Sequence, residues 1–147
     1  MQKLNFPSYL FKVKNRENKR YIWDVIRKKY IQITPEEWVR QHVIHFLIEE
    51  KNYKAQWMSV EKQFAVNGQH KRADIVIYDK KLNPYIVVEC KAPSVKITQE
   101  TFDQIARYNL SLNAKYLMLT NGLQHYYCEM DFEKQTYVFL EGLLDGE

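Results

Sequence analysis

The sequence predicts a single α/β domain over residues 1–147, a mixed β-sheet flanked by helices and preceded by an antiparallel β extension. Three observations lead there. The chain of 147 residues is long enough to bury one core of its own. Its apolar residues alternate with period two in some stretches and recur at spacings of three and four in others. The order of those stretches is helix, three strands, helix, strand, which suits a strand joined to a parallel neighbour through a crossover helix. Hydrophobic residues make up 46% and charged residues 27%, with only four glycines and four prolines, so the composition excludes a disordered or fibrous chain.

Taken in order, Tyr9 to Lys14, Tyr21 to Asp24 and Tyr30 to Ile33 are short runs of aromatic and β-branched residues, expected as antiparallel strands of an N-terminal segment, residues 1–33. Thr34-Pro35-Glu36-Glu37 then supplies three helix-start signals. They are a capping threonine, proline at the first helical position, and Glu37 placed as the partner in a capping box. Val39, Val43, Phe46 and Leu47 give this helix its core face, and it should end near Lys51-Asn52. Strands follow at Met58 to Val66, Arg72 to Asp79 and Pro84 to Lys91. A second helix runs from Thr98 to Asn113, with Phe102, Ile105, Ala106 and Asn109 on one stripe. Tyr116 to Thr120, Gln124 to Met130 and Tyr137 to Leu140 close the sheet, with Asn121-Gly122 as a turn, so residues 34–147 form the core unit.

The net charge of +4 is unevenly spread. Residues 1–29 carry nine Lys/Arg against two acids, whereas residues 129–147 carry six acids against one Lys. A basic N-terminal third can meet a phosphate backbone, although a solvated charged surface is the better explanation of such a run taken alone. No apolar run approaches the roughly 18 residues that span a bilayer, and the start lacks a secretory signal, so no membrane partner and a cytoplasmic location are expected. Cys90 and Cys128 sit in apolar runs without metal-ligand spacing and read as packed thiols.

The candidate chemistry lies in Tyr85 to Lys91, where Glu89 and Lys91 fall two apart on a strand otherwise apolar, hence on one face. Pairing Asp79 with Pro84 in a hairpin would set Asp74 opposite Glu89. Like charges so placed repel unless a cation intervenes, and Mg²⁺ or Mn²⁺ would supply it. Lys91 can orient an attacking water or balance charge on phosphorus. A surface ion pair of Lys91 with Glu89 or Asp74 is the plainer alternative, but these charges interrupt strands that look buried. Glu36, on the inward line of Arg40, Val43 and Leu47, is a candidate third metal carboxylate, although favourable charge at the positive helix N-terminus accounts for Glu36 and Glu37 equally well. Gln104 and Tyr108, four apart on the second helix, together with Arg72 and Arg40, are the substrate-binding candidates. His42 and His45 lack the third ligand of a zinc site. The sequence holds neither a glycine-rich phosphate loop nor a G-x-S-x-G elbow.

Thr34-Pro-Glu-Glu-Trp-Val-Arg-Gln41, Arg72-Ala-Asp-Ile-Val-Ile-Tyr-Asp79, Ile86-Val-Val-Glu-Cys-Lys-Ala-Pro93 and Phe102-Asp-Gln-Ile-Ala-Arg-Tyr-Asn109 together resemble the N-terminal nuclease domain of type I restriction enzyme R subunits. The resemblance runs from roughly Arg20 to Leu144. Its centre, Asp74 with Glu89-Cys90-Lys91, is similar to the D…ExK core of the PD-(D/E)XK nucleases. The resemblance implies a restriction-endonuclease-like fold and Mg²⁺-dependent cleavage of DNA, with Asp74 and Glu89 as metal ligands and Lys91 as catalytic residue. It also implies the Gln104-x3-Tyr108 motif, and as partners DNA and other restriction-modification subunits or a helicase. Two departures stand out: Ala73 takes the place of the motif's proline, and no helicase motor accompanies the domain, so ATP-driven translocation is not implied. The competing expectation is a nucleic-acid-binding or assembly module that keeps the fold without chemistry. RNA or a branched substrate is a third.

Overall fold

An antiparallel three-stranded sheet opens the chain: β1 (Val13–Arg16), β2 (Lys19–Asp24) and β3 (Lys29–Gln32). The structure, a computed structural model, describes residues 1–66 and 68–146. Glu17 and Asn18 both adopt positive φ between β1 and β2, the two-residue hairpin geometry that matches strand twist. β1 is exposed along its length, whereas Ile22 and Asp24 of β2 are fully buried, so this sheet turns one side of its middle strand toward the rest of the molecule.

Helix α1 (Pro35–His45) begins where the start signals place it. Thr34 Oγ1 accepts from the Glu37 N–H at 3.1 Å, with Pro35 in the first turn where a missing N–H costs nothing. A π-helical turn, Phe46–Glu50, carries the segment on to Lys51, close to the expected end. Val39, Val43 and Leu47 are fully buried and Phe46 is half-buried. The capping box is only half realised. The Glu37 side chain does not serve as the expected reciprocal cap but turns inward, because Arg27, Arg40 and Gln41 offer it stronger charge-assisted bonds there.

Strands β4 (Met58–Val66), β5 (Gln69–Tyr78), β6 (Pro84–Cys90), β7 (Tyr116–Thr120), β8 (His125–Asp131) and β9 (Thr136–Leu140) lie side by side in chain order. All neighbours are antiparallel except β6 and β7, which are parallel and joined through helix α2 (Gln99–Leu112). The result is a mixed α/β fold. Between β5 and β6, Ile75 faces Val88, Val76 faces Val87 and Ile77 faces Ile86, a register that, carried one step further, sets Asp74 against Glu89. Toward the turn the ladder slips, so that Tyr78 rather than Asp79 pairs with Pro84. Asp79 is taken by the turn itself: its carboxylate accepts from the Lys81 and Asn83 N–H groups at 2.9 and 3.0 Å.

The sheet is covered on both faces. Ile75, Ile77, Ile86, Val88 and Met118 pack with Val39, Val43, Ile44 and Leu47 of α1. Val76, Val87, Leu117 and Leu119 pack with Phe102, Ala106 and Leu112 of α2. Each such side chain taken out of water stabilises the fold by about 1.5–3 kcal/mol before entropy is counted. On α2, Phe102, Ala106 and Asn109 are buried and Ile105 half-buried, and Asn113 ends the helix in the left-handed conformation, φ +59°. Cys90 and Cys128 are free, buried thiols. Among the described residues, no helix is long and apolar enough to cross a membrane.

Candidate functional site

β5 and β6 run apolar through their middles, and their charges gather at one end. Asp74 Oδ2 accepts from the Cys90 N–H at 2.7 Å, and Asp74 Oδ1 accepts from Arg40 Nη2 at 2.8 Å. The Glu89 carboxyl hydrogen-bonds to Asp74. Burial first, and then the Asp74 charge, push Glu89 up to about 9, with Lys91 opposing the rise. The rise favours the protonated form of Glu89, which relieves repulsion between the two carboxyl groups.

Lys91 is anchored by its own N–H, which donates to the Thr120 carbonyl on β7 at 2.8 Å. Glu36, half-buried in the first turn of α1, is raised by burial and then by Asp74, while Arg40 and Lys91 pull it down. Asp74, Glu89, Lys91 and Glu36 thus act on one another electrostatically across three elements. Tyr108 of α2 belongs to the same neighbourhood. Burial and then the Glu89 charge raise its phenol, and its hydroxyl is buried without a partner among the described residues. Gln104, one turn earlier, is exposed. Arg72 is 59% exposed at its side chain and lies 3.9 Å from Glu61.

Arg40, expected to meet substrate, is instead enclosed at 4% exposure between Glu37 Oε1, at 2.5 Å, and Asp74. Burial acts to lower its guanidinium, yet Glu37 and Asp74 outweigh that and hold it raised. Behind it stand residues that sequence reasoning missed: Asp24, Arg27, Glu37, Gln41 and Glu61. Glu61 sits in β4 with φ +56°, rare for a non-glycine residue, and its carboxylate lies 3.4 Å from Arg27 and 3.7 Å from Arg40. One available signal was the spacing of Glu37, Arg40, Gln41 and Ile44, a helical stripe of its own that the structure buries.

His42 and His45 do not pair around a metal. His42 Nδ1 donates to the Trp38 carbonyl at 2.8 Å, His45 Nδ1 meets Glu49 at 2.8 Å, and both rings pack against Phe11. Among the described residues, no group of three or more His, Cys, Asp or Glu side chains is arranged to hold a metal ion. The residues that could hold one are Asp74 and Glu89. Two hard carboxylates suit Mg²⁺, which keeps several positions for water and phosphate oxygens. The orphaned Tyr108 hydroxyl nearby also fits a site awaiting a polar ligand.

A mixed α/β domain with a carboxyl pair, a lysine and a buried arginine at one end of adjacent strands is the class that fold and site define. Residues 35–143 match the family described as the type I restriction enzyme R protein N terminus, and the chain belongs to that family. Membership ties it to a restriction-enzyme role. No curated protein matches the chain.

Proposed function

We propose that this chain is a Mg²⁺-dependent, or Mn²⁺-dependent, DNA endonuclease domain of the PD-(D/E)XK type. The observation that carries the reading is the meeting of Asp74 with a half-buried Glu89 at one end of β5 and β6, in the electrostatic reach of Lys91. A carboxyl held neutral by its neighbour is a ligand in waiting: a divalent cation makes ionisation of both favourable. When bound, such an ion lowers the pKa of a coordinated water and neutralises phosphate charge.

Asp74 and Glu89 would hold the ion, with Glu36 as a candidate third carboxylate. Lys91 orients the attacking water and offsets charge on the phosphoryl group. Tyr108 and Gln104 receive the phosphate backbone from α2, and the exposed Arg72 meets it at the start of β5. Arg40 fixes the Asp74 carboxylate rather than touching DNA. The partners are DNA and other restriction-modification subunits or a helicase, in the cytoplasm. Purified protein incubated with supercoiled plasmid and Mg²⁺ or Mn²⁺ should nick it. Lys91→Ala should slow nicking by roughly 100-fold or more, and equal nicking by both proteins would refute the assignment.

One observation favours a second reading, a binding or assembly module without chemistry. Both Asp74 oxygens already have partners, in Arg40 and the Cys90 amide. Salt-sensitive DNA binding without metal, and no cleavage with any divalent ion, is the outcome that selects it.

A further inference from the structure

Arg27 lies in the turn between β2 and β3, ahead of the residues matched to the family. Its guanidinium is spread over three carboxylates. Nε donates to Asp24 Oδ2 at 2.9 Å, Nη2 to Glu37 Oε2 at 2.9 Å, and Nη1 to Glu61 Oε2 at 3.4 Å. Asp24 is fully buried and fixes the turn by accepting from the Ile26 and Arg27 N–H groups at 2.8 and 2.7 Å. Gln41 Nε2 completes the frame, donating to Asp24 Oδ2 at 2.8 Å and to Glu37 Oε2 at 3.1 Å.

The consequence falls on Arg40. A guanidinium offered both oxygens of one carboxylate prefers to pair with both. Here Glu37 Oε2 is already engaged by Arg27 and Gln41, so Arg40 takes only Oε1 and turns its other arm to Asp74. We infer that Arg27 is a positioning residue for Asp74, acting through Glu37 and Arg40, and hence that the N-terminal sheet is a working part of the site. Without Arg27, Glu37 Oε2 keeps only Gln41 and is open to the second arm of Arg40, so that Asp74 keeps the Cys90 N–H but loses Arg40, the second of its two anchors.

The metal and activity arms of the test rest on the nuclease reading; the unfolding arm does not. Among the described residues Arg27 and Asp74 form no ion pair with each other, so additive effects would mean that no coupling passes between them through Glu37 and Arg40. In thermal unfolding of the full chain, Arg27→Ala, Asp74→Asn and their combination should instead be non-additive. Titration with Mn²⁺ by calorimetry should show binding weakened roughly 10- to 100-fold in Arg27→Ala, the usual effect of removing a group that orients a metal ligand. The plasmid kcat should fall with KM unchanged, and Arg27→Lys should restore part of the loss. Should Arg27→Ala fail to fold, Arg27→Gln and Arg27→Lys carry the same comparison. Additive unfolding effects together with unaltered Mn²⁺ affinity would overturn the inference. A wild-type chain that binds no Mn²⁺ would overturn the nuclease reading, and the unfolding cycle alone would then decide the role of Arg27.

Discussion

α1 and α2 begin with the same device, a threonine whose hydroxyl accepts from the N–H three residues on, at nearly identical backbone angles: φ −105°, ψ 167° at Thr34 and φ −104°, ψ 164° at Thr98. They then bury different chemistry. α1 takes Glu37, Arg40, Gln41 and His42 into the interior beside Val39, Val43 and Ile44, while α2 buries Phe102, Ala106 and Leu112 with one amide, Asn109. Caps set where a helix starts and say nothing of what it is for. Burying charge is costly unless each group is paired, and well-packed apolar residues would stabilise a helix as well or better. The charged interior of α1 therefore marks it as the helix that serves the site, and α2 as the one that chiefly closes the core.

The largest test of that contrast compares one substitution on each helix. Arg40→Met leaves the buried Glu37 and the half-buried Asp74 with one cationic partner fewer and should cost about 3–5 kcal/mol in urea unfolding. Phe102→Ala should cost a similar amount, about 3–5 kcal/mol, through lost burial and a cavity. The two should separate with pH. The Arg40 loss should vary with pH because it breaks charged pairs, and the Phe102 loss should not. Equal pH response in both would erase the distinction.

A smaller effect concerns the sign of two carboxyl groups. Glu89 is raised by burial and by Asp74, so its contribution to stability in metal-free protein is complete below the ordinary carboxyl range. It is lost as pH rises toward about 9. Melting temperature should therefore fall over that interval, and Glu89→Gln should flatten the fall. Asp103 on α2 is held low by its hydrogen bonds from Tyr137 and then Gln99. Its contribution is present above the ordinary carboxyl range and lost on acidification, so Asp103→Asn should alter only the acid limb. A rise in melting temperature with pH that Glu89→Gln leaves unaltered would remove the buried-proton description of the site.

Much of the architecture could be read from local chemistry. Thr34-Pro35 fixed the start of α1, alternating or continuously apolar runs located β4 to β9, and a hairpin counted from Asp79 and Pro84 brought Asp74 toward Glu89, a register that holds from Ile75 to Ile77 although Asp79 and Pro84 do not pair. The slip at Tyr78 escaped because Asp79 had two possible uses, as a ladder partner and as a turn acceptor, and spacing alone does not choose between them. Asp24, Arg27 and Glu61 escaped for a different reason. Their meaning lies in contacts between residues as far apart as Arg27 and Glu61, and a charge whose partner is distant in sequence looks like surface. Glu37 shows both sides of the problem: a local rule explained its presence in the first turn, and that explanation hid its buried role.

The most direct measurement is an anomalous difference map from crystals soaked with Mn²⁺. A peak about 2.1 Å from one oxygen of Asp74 and one of Glu89 is the expected result. No peak between them, or a peak bound only by groups elsewhere on the molecule, would contradict a metal-dependent nuclease site at the end of β5 and β6.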